Sequence, residues 1–98
     1  MLSWDLEDQL LSLTGTLDKQ TSMALWQKRK QFISSKINIL TIDLSAVKRI
    51  DSAGLATIIA LYRELKQQKL GFKIQGASQQ TRDLAKVNGV LELLPFKA

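Results

Sequence analysis

The chain has 98 residues, 45% of them hydrophobic, which is enough for one folded domain over 1–98 and too few for two. It contains no cysteine and no histidine, which removes disulfides, thiolate nucleophiles, the common zinc-ligand sets and the usual neutral-pH general base. Fourteen Lys and Arg against nine Asp and Glu leave a charge of +5, read as a solvated basic surface and not a nucleic-acid site, because no basic helix is interleaved with exposed aromatics.

The N-terminus, Met1-Leu2-Ser3-Trp4-Asp5, has neither the basic nor the apolar region of a signal peptide. A short strand is expected around Ser3 to Leu6, turning near Glu7-Asp8 into a second strand, Gln9 to Thr14, which Gly15 breaks. Gly15-Thr16-Leu17-Asp18 then reads as a loop. A first helix is expected from Thr21 or Ser22, either of which can cap it, to about Ser34. Leu25, Trp26, Phe32 and Ile33 share one face of it. Arg29 falls in the middle of that face, either snorkelling with its head in water or fixed in an ion pair or partner contact beside Trp26.

Ile37 to Leu44 is β-branched and nearly continuous, the pattern of a central strand covered on both sides. Ser45 to Asp51 is expected to be a loop into a second helix, Ser52 to Gln68. Its core stripe is Leu55, Ile58, Ile59, Tyr62 and Leu65. The opposite face carries Ala53, Thr57, Ala60 and Glu64, with Leu61 at its edge. Small residues there admit a docking backbone, or simply favour helix. A strand over Phe72 to Gly76, a helix over Gln79 to Asn88 capped by Ser78 and ended by Gly89, and a tail from Leu91 complete the chain. Leu84 and Val87 are assigned to the inner stripe of that helix, continued by Leu91. The order ββαβαβα predicts a small α/β sandwich, a mixed β-sheet covered by α-helices. No apolar run approaches the ~20 residues of a membrane-spanning helix. A soluble cytoplasmic protein without direct membrane insertion is therefore expected.

The stretch Lys48-Arg49-Ile50-Asp51-Ser52-Ala53-Gly54 stands out. Either Asp51 or Ser52 satisfies the free N–H groups of the helix start, but one cap does not need both. Gly54 in the first turn costs ~1 kcal/mol against alanine, which points to close approach by a partner backbone or a neighbouring loop. The helix N-terminus tolerates an anion such as a phosphorylated serine, and Lys48 and Arg49 add to its positive field. Asp43 and Asp51 are candidate acids. With no nucleophile–base pair, phosphate-cradling loop or metal cluster beside them, no enzyme is expected.

Asp51-Ser52-Ala53-Gly54-Leu55 after the strand Ile42-Asp43-Leu44-Ser45 resembles the signature of STAS domains, the fold of anti-sigma-factor antagonists and of the cytoplasmic tails of some anion transporters. Gly15 to Asp18 and Gly71 to Leu91 resemble other parts of that fold. Ser3-Trp4, Leu25-Trp26 with Arg29, Val47 to Ala56, Gln75-Gly76 and Leu84-Ala85-Lys86 resemble the standalone STAS subunits of Mla phospholipid-transport ABC systems. The resemblance implies a non-catalytic subunit without a cofactor that binds the ABC ATPase subunit directly. It also implies a shared complex with a permease and a periplasmic lipid-binding subunit that maintains outer-membrane lipid asymmetry. It places Ser52 at the ATPase contact, bordered by Asp51, Ala53, Gly54, Ala56 and Thr57, with Arg49 and Trp26 as further candidates. In the antagonists the same position carries a phosphorylatable hydroxyl, so the alternative is a signalling module switched by phosphorylation of Ser52. The Ser-Ala-Gly here, where the antagonists more often show Ser-Ser-Gly, favours the transporter.

Overall fold

The computed structural model describes residues 1–34 and 36–96. Strand β1 (Leu2–Glu7) turns through Asp8 and Gln9 into strand β2 (Leu10–Leu17), pairing Glu7 with Leu10 and Leu2 with Gly15. Asp8 takes φ 56°, a left-handed conformation that tight hairpins require and that Asp tolerates. Gly15 does not end β2. It sits at φ 110° inside the strand, where a side chain would strike the Met1 carbonyl. The expected loop from Gly15 is thus strand as far as Leu17, with glycine serving the pairing to β1.

Helix α1 (Lys19–Gln27) starts earlier than expected and ends sooner. Its cap is Asp18, whose carboxylate accepts from the Gln20 and Thr21 N–H groups. The Thr21 hydroxyl oxygen in turn accepts the Asp18 N–H at 2.9 Å, making a reciprocal capping box. At the other end a single 3-10 turn, Arg29–Gln31, replaces the helix expected to reach Ser34. Arg29 explains the break. Its Nη1 donates to the Trp26 carbonyl at 3.1 Å, its guanidinium lies 4.1 Å from the Trp26 ring centroid, and its Nε is 3.2 Å from Glu64 Oε2. The side chain thus caps a helix-end carbonyl. Of the two readings of Arg29, the fixed ion pair holds. Beyond the break, Phe32 and Ile33 both turn into the core.

Strand β3 (Ile39–Ile50) is longer than expected and absorbs the presumed loop from Ser45. The burial alternation of Leu40, Ile42 and Leu44 stops at Ser45, because the pairing with β2 slips twice. Ser12 faces Asp43 but Thr14 faces Ala46, and Gly15 faces Val47 but Thr16 faces Arg49. Each slip inserts an extra residue into β3, as a bulge does, and erases the period-two pattern. Asp43 Oδ1 accepts the Ser45 N–H across the first slip, at 2.9 Å. Helix α2 (Ser52–Gln67), strand β4 (Gly71–Gln75) and helix α3 (Gln79–Val87) follow, so the order ββαβαβα stands. Helix α3 buries Thr81 and Ala85, while Val87, assigned from its spacing to the inner stripe, is 85% exposed. After it, the Ile74 N–H donates to the Pro95 carbonyl at 3.1 Å and Phe96 bridges Ile74 in parallel.

The sheet runs β1-β2-β3-β4, antiparallel in its first pair and parallel in the other two. Strands β2, β3 and β4 follow one another without reversal. Right-handed crossovers therefore place α1 and α2 on the same face. Leu11, Leu13, Leu40, Ile42, Phe72 and Ile74 point into that face and are buried. Their alternates Ser12, Thr14, Thr41, Lys73 and Gln75 stay at least partly exposed. β3 is thus covered on one side only, correcting the expectation of cover on both.

Candidate functional site

The buried line of α2 is Gly54, Leu55, Ile58, Leu61 and Leu65. Leu61 is fully buried, whereas Ile59 and Tyr62 are half-buried. Tyr62 leans on Phe72 of β4, ring centroids 5.7 Å apart. At ~100° per residue the solvent pole is then Ser52, Ala56 and Arg63, all exposed. The face proposed from sequence, Ala53, Thr57, Ala60 and Glu64, lies about a quarter turn away and is half-buried. It looks toward α1, which lies alongside α2 and is tied to Glu64 by Arg29. Small residues there make room for the chain's own helix.

Two bulges lengthen β3 enough to set Arg49 opposite Thr16 and Ile50 opposite Leu17. The Asp51 N–H then donates to the Leu17 carbonyl at 3.2 Å. The Thr21 hydroxyl donates to the Thr16 carbonyl at 2.8 Å. The ends of β2 and β3 and the starts of α1 and α2 are thereby knitted together. Between them lies a pocket of about 260 Å³ lined by Thr16, Asp18, Arg49 and Asp51. The Thr21 N–H above all, with the Thr21 hydroxyl and the Gln20 N–H, holds the Asp18 carboxyl below its ordinary value against a smaller effect of burial. The sequence reading missed Asp18. The signal lies in Asp18-x-x-Thr21, which has the spacing of a capping box, whereas Thr21 and Ser22 offer lone hydroxyls.

Asp51 is the cap of α2, its Oδ1 accepting the Gly54 N–H at 2.9 Å. Ser52 is therefore spared that duty. It is the first helical residue, exposed, and its hydroxyl makes no hydrogen bond among the described residues. Gly54 is buried, and a Cβ on it would run into the Leu17 carbonyl oxygen. The close approach that glycine announced is by the end of the chain's own β2, so Gly54 does not border solvent. Ala53 and Thr57 are half-exposed at the rim. Arg49 is exposed beside the pocket. Trp26 is not part of this group. It is covered by Arg29, and Arg29 meets Glu64 three turns further along α2, roughly 18 Å from Ser52 at 1.5 Å per residue. Ser52, Asp51, Arg49 and Ala56 thus form an exposed rigid corner, with Ala53 and Thr57 on its flank.

Among the described residues no group of three or more His, Cys, Asp or Glu is placed to hold a metal ion. No helix of the described residues is long and apolar enough to cross a membrane. Asp43 serves its own strand: the Ser45 hydroxyl and N–H, with the Gln75 side chain, hold its carboxyl below the ordinary value.

A family model described as "Mlab, STAS domain" matches residues 1–95. The chain is 35% identical over 95 residues to the intermembrane phospholipid transport system binding protein MlaB of Escherichia coli, covering 96% of this chain and 95% of that one. To the protein of the same name in Haemophilus influenzae it is 33% identical over 97 residues, 92% of each chain. An anti-sigma factor antagonist from Mycobacterium paratuberculosis superposes with TM-score 0.79 at 28% identity, covering 98% of this chain and 83% of that one. The Asp-capped helix start after a bulged parallel strand is set in a fold these proteins share, and the chain belongs to the MlaB-type STAS domain family.

Proposed function

We propose that this chain is a non-catalytic cytoplasmic subunit of an ABC phospholipid transporter and that it docks on the ATPase subunit through the first turns of α2. The observation that carries the reading is the division of labour at that helix start. Asp51 takes the capping bond, and Ser52 is left exposed with an unused hydroxyl. Beside it, Ala56 gives a surface with little side chain to freeze, and Arg49 a charge that can pair across a contact. The underlying corner is held by backbone bonds to β2, so little order is lost on docking. The names of the relatives in E. coli and H. influenzae support phospholipid transport as the setting. In this reading a permease and a periplasmic lipid-binding subunit share the complex. The chain sits at the inner face of the inner membrane and contributes to lipid asymmetry.

The test is co-purification with the ATPase subunit. The native chain captures it. Ser52→Arg abolishes capture by placing bulk and charge in the contact, while its stability stays within about 0.5 kcal/mol of native, as expected for an exposed site. Normal capture by a folded Ser52→Arg chain would refute this seat. A second reading is favoured by the same exposed hydroxyl at a helix N-terminus near Lys48 and Arg49, and by the likeness to an anti-sigma factor antagonist. There, phosphorylation of Ser52 would switch partner binding. Phosphoserine at Ser52 in protein isolated from its native cells, with a kinase and no ATPase alongside, would select that reading.

A further inference from the structure

The basic residues are not spread evenly. Lys28, Arg29, Lys30, Arg63, Lys66 and Lys69 stand against the single acid Glu64 and leave +5, which is the charge of the whole chain; the remaining eight bases and eight acids cancel. Because β2, β3 and β4 are parallel, α1 and α2 finish at the same end of the sheet, and these six lie near those two helix ends. Arg29 of the 3-10 turn and Glu64 of α2 form a half-exposed pair at 3.2 Å. Lys28 and Lys30 flank Arg29 in the chain, Arg63 precedes Glu64, Lys66 lies on the other side of α2 near the Tyr62 ring, and Lys69 follows the helix end; all five are exposed. The favourable field at helix C-termini accounts for part of this, since Lys66 lies in the last turn of α2 and Lys30 in the 3-10 turn. It leaves Lys28, Arg63 and Lys69, and α1 has no basic residue in its last turn.

We propose that the adjoining C-terminal ends of α1 and α2 form a cationic surface that adsorbs, without insertion, to the anionic headgroups of a phospholipid bilayer. The exposed large apolar side chains are Met1, Leu6, Met23, Ile39, Val87 and Leu93, and none belongs to this cluster, so it lacks the apolar anchors of a protein–protein contact. Its two aromatics are already engaged: Trp26 lies under Arg29 and Tyr62 lies near Lys66. No ring is left free to stack on a base. Exposed lysines suit a diffuse sheet of negative charge. The choice of a bilayer over nucleic acid also draws on the phospholipid-transport reading. The surface itself lies at the far end of α2 from Ser52.

The test uses the full chain with phosphatidylcholine vesicles, plain or mixed with phosphatidylglycerol, in a sedimentation assay. The expected result is binding to the mixed vesicles only, weakened about tenfold or more by high salt, as screening demands. Replacing Lys28, Lys30, Arg63 and Lys66 by Gln abolishes it. Replacing Lys36, Lys48, Lys73 and Lys86 by Gln changes net charge equally and leaves most of it. Ser52→Arg, which disables the proposed ATPase seat, leaves vesicle binding unchanged, so the two proposals fail separately. Equal binding to plain vesicles, no binding to mixed ones, or equal loss in both four-site variants would overturn the inference. So would complete displacement of the vesicles by duplex DNA at matched phosphate concentration, which assigns the surface to nucleic acid.

Discussion

At the scale of single residues, the first turn of α2 separates positions that serve the fold from positions free to serve a partner. Gly54 belongs to the first group. Gly54→Ala gains helix propensity but drives a methyl into the Leu17 carbonyl, and the net expectation is a loss of about 1–3 kcal/mol, as for overpacking elsewhere. Urea denaturation measures it; an unchanged midpoint would show that β2 can give way. Asp51→Ala removes the cap and costs about 1 kcal/mol, whereas Asp51→Asn keeps the acceptor and most of the stability. Two other carboxylates carry a pH signature. Asp18 and Asp43 both sit below their ordinary values when folded, because hydrogen bonds favour the charged form. Their contribution is complete above the unfolded carboxylate value near 4 and is lost as pH falls through the lower folded values. The double variant Asp18→Asn, Asp43→Asn is expected to flatten the stability–pH curve in that acid window only. The roles of Ser52 and Asp51 were half legible in the sequence, which showed two capping candidates for one task. Which of them capped needed the backbone.

At the scale of elements, the tie between α1 and α2 is the feature most open to test. Arg29 bonds the Trp26 carbonyl, covers the Trp26 ring and pairs with Glu64. Both ends of the pair are about a quarter exposed, so water and salt screen it. The cycle Arg29→Met with Glu64→Gln is expected to yield a coupling of about 0.5–1 kcal/mol. A coupling near zero would leave the 3-10 turn without its anchor. Helix-period and alternation signals located every element in the right order. They failed where a side chain or a register slip overrode the period. Arg29 cut α1 short of Ser34, and the two slips against β2 disguised residues 45–50 of β3 as loop. Val87 shows the same limit in α3, since its spacing matches the inner stripe but the helix buries Thr81 and Ala85.

At the scale of the whole molecule, stability rests, among the described residues, on one cluster of buried residues shared by the sheet and the helices. Ile58 is 1% exposed within it. Ile58→Asp buries an unpaired charge, and a domain whose total stability is of the order of 5–15 kcal/mol does not fold with it. Loss of the far-ultraviolet circular dichroism signal is the expected outcome, against retention of that signal in Ser52→Arg. The one-sided cover of the sheet was not visible in the β3 sequence, because a continuous apolar run fits burial on one face or two. It follows from the strand order, which local patterns do not encode.

The short bridge between Phe96 and Ile74 has a further outcome. On the β4 side the mixed sheet ends in a strand whose amides seek another strand, and neighbouring molecules can provide one. The Pro95 carbonyl occupies the Ile74 amide, and proline offers no donor of its own in return. The segment is thus a stopper that ends strand addition on the β4 side. Trimming the chain after Leu94, which keeps that buried side chain in the core, should leave a protein that folds but self-associates on concentration, visible as rising light scatter.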